Sequence, residues 1–168
     1  MNSIWIVGNG RSGTHFLCKT FLDYENIIDF LNGTEDKNLL INIRQSAIQG
    51  NKLSEDILKE YKNKIHYCEK LNKIFLDQHH PNLWHVEQLL TNFNNSKFIF
   101  IDRKIEQTVA SMTKHNSIKN NTLIIKKGEK NIILPNSFYG IENSQELNLD
   151  IIMLFCKRVQ SHKLFAKK

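Results

Sequence analysis

The stretch "IVGNGRSGTHFL", residues 6 to 17, ends the short apolar run "SIWIV" and opens a segment in which Phe16, Leu17, Thr20, Phe21 and Tyr24 recur at helical spacing. It reads as strand, glycine loop, helix. Gly8 and Gly13 have the spacing of a G-x-x-x-x-G phosphate loop, yet Thr14 and His15 stand where such a loop carries Lys and then Ser or Thr, and the cation comes earlier, at Arg11. In a loop of this kind successive backbone N–H groups turn inward ahead of a helix that presents unpaired donors and the positive end of its dipole. That combination suits an anion, and Arg11 adds a planar fork for bidentate contact with oxygen.

The same alternation continues outward from the loop. "NIIDFL" (26–31) reads as a second strand, and Ser54 to Leu71 as a polar helix with Ile57, Leu58, Tyr61, Ile65 and Leu71 at its apolar positions. "KIFLD" (73–77) and "KFIFID" (97–102) are two further buried strands, separated by a helix over Leu83 to Phe93, and a last helix begins near Asn148. The expected strands are Ser3 to Val7, Asn26 to Asp29, Lys73 to Leu76 and Lys97 to Ile101. Strands alternating with helices imply βαβ units, hence an α/β fold of three layers, α/β/α, around a central parallel sheet. Ligands in such sheets bind at the carboxyl ends of the strands. Four features fall there: the Gly8 to Thr14 loop, Asp77 to Pro81, Asp102 with Arg103, and the helix that carries Ser111.

Composition sets the outer limits. A chain of 168 residues, 40% hydrophobic, suits a single domain spanning residues 1–168. No apolar run is long enough to span a bilayer and no secretory leader is evident at Met1, so the expectation is a cytoplasmic protein without a membrane span. Cys18, Cys68 and Cys156 lack C-x-x-C spacing, which suggests neither a disulfide framework nor a zinc knuckle, only ordinary buried thiols. The formal charge of +6 fits an anionic ligand. Nucleic acid is not the expected partner, because the lysines are matched locally by acids, as in "KLSEDILKEYKNK" (52–64), and form no basic stripe interleaved with aromatics.

"GNGRSGTHFL" (8–17), followed by "FLDQHHPNLWHVEQLLTNFNNSKFIFIDRKIEQTVASM" (75–112), resembles the sulfotransferases that use 3′-phosphoadenosine 5′-phosphosulfate (PAPS). The likeness covers residues 3 to 113. In that family a loop of the form [KR]-S-G-T-[TS]-x-[LW] binds the 5′-phosphosulfate, and an Arg at the end of a later strand, with a Ser eight residues on, holds the 3′-phosphate. The resemblance therefore implies PAPS as sulfuryl donor, bound through Gly10, Arg11, Ser12, Gly13, Thr14, His15, Arg103 and Ser111, with no metal. Arg11 would contact the bridging oxygen as charge develops on the leaving phosphate. The acceptor would be a hydroxyl or amine of a sugar, lipid, peptide or small alcohol. The base that takes its proton varies within the family, and His79, His80 and Glu35 are the alternatives here. An unperturbed imidazole near pKa 6.5 suits that role.

The chain also departs from the family. His15 replaces the usual second Thr or Ser, and "KIE" follows Arg103 where an acidic residue or Asn and then Pro are common. The usual C-terminal strand, helix and basic glycine-containing loop have no counterpart before Lys168. Against the family pattern that implies weak binding of the adenosine half, slow or undetectable transfer, and either homo-oligomers or a truncated product. The segment "TLIIKKGEKNIIL" (122–134) reads as a β-hairpin around Gly128, a flap over the acceptor side. Two other readings stay open. One is a divergent phosphate-loop kinase or NTPase in which Asp102 holds magnesium; the other is a non-catalytic remnant of the sulfotransferase fold.

Overall fold

The computed structural model describes residues 3–29, 37–126, 138–139, 141 and 144–167. Four strands, β1 (Ser3–Val7), β2 (Ile27–Asp29), β3 (Ile74–Asp77) and β4 (Ser96–Phe100), form one sheet in the order β2-β3-β1-β4. Every neighbouring pair is parallel. Ser3 stands opposite Phe75 on one side and Ser96 on the other, so β1 is a central strand, and all five of its residues are buried.

Alternation along β1 divides the core into two layers. Ile4 and Ile6 face Leu76, Cys18, Leu17 and Phe21, which brings in helix α1 (Thr14–Leu22). Trp5 and Val7 face the other way, toward Phe75, Tyr61, Ile43 and Leu89. This second layer is built from α2 (Lys37–Gln49), α3 (Glu55–Lys70) and α4 (Val86–Asn92). Ser54 caps α3 by accepting from the Ile57 N–H, with Glu55 and Asp56 in the first turn complementing the helix dipole. The fold is therefore α/β with a parallel sheet and helices against both faces.

Three more helices, α5 (Ile105–Thr113), α6 (Asn116–Lys126) and α7 (Ile151–Ala166), share a core of Val109, Met112, Phe155 and Val159. Asp150 caps α7, its Oδ1 accepting from the N–H groups of Ile152 and Met153 at 2.8 and 2.9 Å.

Two expectations need correction, and one helix was not expected. Thr122 to Lys126, read as the first arm of a hairpin, belongs to α6. Their β-branched character is overridden by packing: Ile118 joins the α5–α7 core, and Thr122, one turn later, is buried with its hydroxyl donating to the Ile118 carbonyl. Gly128 lies outside the described residues, as do Phe30, Leu31 and Glu35. The helix read from Leu83 begins instead as a 3-10 turn over His80–His85, with Pro81 at its start, and becomes α-helical only at Val86. Helix α2 was not anticipated at all, although Leu40, Ile43 and Ala47 have helical spacing and pack inward. Cys18 and Cys68 are buried as expected and Cys156 is partly so. Among the described residues no helix is long and apolar enough to cross a membrane.

Candidate functional site

The carboxyl ends of β1, β3 and β4 open onto one cleft of about 380 Å³. The chain leaves β1 through Gly8–Gly13, and the backbone turns left-handed at Gly10 (φ 72°), Arg11 (φ 58°) and Gly13 (φ 106°). Gly13 is the N-cap of α1, and no side chain caps that helix. The amides of its first turn therefore have no acceptor within the helix, and Gly13, Thr14 and His15 line the cleft. Space is open around Gly13, with nothing within 4 Å of an added Cβ, so the glycine is required by its backbone angle alone. Gly13→Ala is expected to cost about 1–3 kcal/mol through strain, with no steric clash. Urea denaturation of the variant would measure it, and an unchanged midpoint would show that the loop relaxes to another conformation.

The two halves of the sequence pattern meet in this loop. The Arg11 Nε donates to the Ser111 Oγ on α5 at 3.1 Å, and the Arg103 Nη1 donates to the Arg11 carbonyl at 3.1 Å. Arg103 is in turn steadied by donation from its Nε to the Gln107 Oε1, one helical turn on. Arg11, Arg103 and Ser111 are thus one connected cluster, not two separate contacts. Thr14 is buried and accepts from the Gln78 Nε2 at 3.1 Å, which ties the loop to the end of β3. Ser12 is buried with its Oγ unpartnered, while His15 is exposed at the rim.

Of the two histidines before Pro81, the structure places His80 on the cleft, close to the loop: its ring lies 3.9 Å from where a Cβ on Gly10 would stand. His79 is not among the lining residues, and its charge environment is set by Arg44 and His85. Burial holds His80 well below the usual imidazole range, with His79, Arg158, His162 and Arg44 adding to the effect, and it lowers His79 to about 3. At neutral pH both rings are uncharged bases. Asp102 is turned away from the cleft, its carboxylate 2.5 Å from the Lys163 Nζ.

Sequence reasoning missed the rest of the lining. Arg44 comes from α2, His115, Ser117 and Asn121 from the α5–α6 junction and α6, Phe138 and Tyr139 from the segment before α7, and Arg158 from α7. Arg158 is only 4% exposed, stands over the rings of Phe138 and Tyr139 at 5.3 and 5.5 Å, and has an unpartnered Nε. Its place opposite a cation-rich loop could not be read from a helical sequence in which it looks like one polar position among apolar ones. The described lining contains four guanidiniums and three imidazoles and no carboxylate. In comparisons with known proteins no family model, no curated protein and no solved structure matches this chain.

Proposed function

We propose that this protein is a sulfotransferase that uses PAPS as donor and a hydroxyl or amine as acceptor. One observation carries the reading. Two motif halves some ninety residues apart line one cleft that holds four arginines and no described carboxylate, at the uncapped start of a helix. The residues suit the donor. The first-turn amides of α1 and the Arg11 fork are matched to a phosphosulfate, and Arg103 with Ser111 to a second phosphate, whereas the Ser12 hydroxyl is buried outside the cleft lining. Bound there, PAPS would supply an activated sulfuryl group and leave as adenosine 3′,5′-bisphosphate.

The chain's own residues then have distinct tasks. Arg11 and the loop amides stabilise charge on the departing phosphate oxygen. Thr14, fixed by Gln78, orients the same end of the cleft. His80, the imidazole of the "HHP" stretch that lines the cleft, accepts the acceptor's proton at a ring nitrogen as the new O–S or N–S bond forms, although the burial and neighbouring cations that keep it neutral also make it a weaker base than a free imidazole. A kinase or NTPase reading has less support, because Asp102, the acid it would need at the phosphates, is committed to Lys163 outside the lining.

Calorimetry with adenosine 3′,5′-bisphosphate tests this directly. The bisphosphate should bind without magnesium and more tightly than ADP, which lacks the 3′-phosphate. Arg103→Ala should weaken it by about 1.5–3 kcal/mol, the size of a lost charge-assisted contact, and leave ADP less affected. Equal affinity of the wild type for the two nucleotides would sink the roles given to Arg103 and Ser111.

A further inference from the structure

The donor groups described above occupy only one end of the cleft. Arg11, Arg103 and Ser111 gather on the β4 side, on the loop and on the β4–α5 connection, while Thr14 reaches across to Gln78 at the end of β3, beyond which the cleft continues. At that β3 end stands His80, and two arginines approach it from opposite helices, Arg44 from α2 and Arg158 from α7. Both helices pack on the 3-10 turn that His80 begins.

Neither arginine has an ion pair or hydrogen bond to another described residue. Arg158 is the more telling, because a guanidinium removed from water normally has a carboxylate or carbonyl beside it. Here its nearest partners are two aromatic rings; burial lowers it to about 10, an effect that Tyr139 partly offsets and the like-charged Arg44 adds to. Two cations lining one open cavity, with no carboxylate among its described lining residues, are what an anion-binding position needs.

We infer that the β3 end of the cleft is a second anion subsite, formed by Arg44 and Arg158 on either side of His80. The acceptor substrate therefore carries its own negative charge, a carboxylate or a phosphate, near the hydroxyl or amine that reacts. The inference rests on the donor reading for the word acceptor, but the subsite itself does not. Donor and acceptor anions would lie at opposite ends of one cavity, with the sulfuryl position between them and His80 facing it. Anchoring the acceptor by its charge would set the distance from the reacting oxygen to the His80 ring, which a pocket lined only by Phe138, Tyr139 and Ile118 could not do.

The test uses matched pairs on protein saturated with adenosine 3′,5′-bisphosphate. Glucose 6-phosphate and glucuronate are each compared with glucose by calorimetry. At least one charged sugar should bind about tenfold or more tightly than glucose, as expected for one charge-assisted contact, and which of the two wins identifies phosphate or carboxylate as the group recognised. Arg44→Gln, on an exposed face of α2, and Arg158→Lys, which keeps the buried charge, should each erode that preference severalfold while the bisphosphate affinity stays within about twofold. Equal binding of charged and neutral sugars would overturn the inference. So would a loss of bisphosphate affinity in Arg44→Gln as large as in Arg103→Ala, because Arg44 would then serve the donor. If the bisphosphate fails to bind the wild type, the same titrations on nucleotide-free protein separate the two ideas. A charge preference that still depends on Arg44 would keep the subsite and remove the donor reading.

Discussion

Acidification from pH 7 to pH 4 is expected to unfold this protein, because four histidines are held uncharged in the folded chain, His85 and His162 fully buried and His79 and His80 half-buried. His79 and His162 are lowered to about 3, His85 to about 4 and His80 well below its ordinary value, in each case chiefly by burial. In the unfolded chain the same rings titrate near pH 6.5. Above that pH both states are neutral and the stability is fully present. As pH falls below it the unfolded chain takes up protons that the folded one refuses, and each histidine removes about 1.4 kcal/mol per pH unit.

Asp77 works in the opposite direction. Burial, reinforced by Asp29, raises its carboxyl to about 8, with the Tyr61 hydroxyl and the Asn82 amide only partly offsetting the rise. Between about pH 4 and pH 8 the folded state holds a proton that the unfolded state lacks, so this group favours folding more as pH falls. Four protons against one leaves a net loss near three, or about 4 kcal/mol per pH unit at pH 5. Between pH 6.5 and pH 4 that slope removes roughly 10 kcal/mol, enough to exhaust all but the upper part of a typical stability of about 5–15 kcal/mol. Thermal melts followed by circular dichroism from pH 8 to pH 4 would show it. A midpoint that stays level from pH 7 to pH 5 would mean that these histidines are not held neutral.

Replacement of Trp5 by Ala should be the most damaging single change in the sheet, at about 3–5 kcal/mol. The ring is fully buried at the middle of the central strand. It meets Tyr61 and Phe75 edge-on at centroid distances of 4.8 and 5.5 Å, and stacks on Phe98 and Phe93 at 5.8 and 6.0 Å. One side chain therefore joins β1, β3, β4 and α3. Its Nε1 donates to the Ser3 Oγ, which also pairs with the Ser96 Oγ, so the indole has no unsatisfied polar atom. Trp5→Phe should lose less, because it keeps most of the ring contacts and gives up only the hydrogen bond and some volume. Chemical denaturation of both variants would check this, and equal losses would place the energy in the hydrogen bond.

The strands were legible because each is a short apolar run between turn residues. The expected boundaries at Ser3, Asn26, Lys73 and Lys97 fall within one residue of the observed ones. The loop was legible from glycine spacing and from Arg11. Arg44 and Arg158 were not, because their role depends on two helices meeting at His80, and no local pattern marks such a meeting. The false hairpin has a related cause: "TLII" (122–125) looks like a strand in isolation, and only the partners of Ile118 on α5 and α7 decide for helix. His79 and His80 were indistinguishable as neighbours in sequence. The extended backbone at His79, φ −129° and ψ 105°, ahead of the 3-10 turn sends the two rings to different surroundings.

The hold that Arg103 and Ser111 keep on Arg11 has a consequence for how the site comes into being. Arg11 occupies a left-handed conformation that a residue with a Cβ does not favour on its own, and the groups that meet it lie 92 and 100 residues further along. A fragment ending before β4 would contain every glycine of the loop and none of those contacts. The motif is local as writing but non-local as energy, because the chain must close a span of about ninety residues before the loop is held in place.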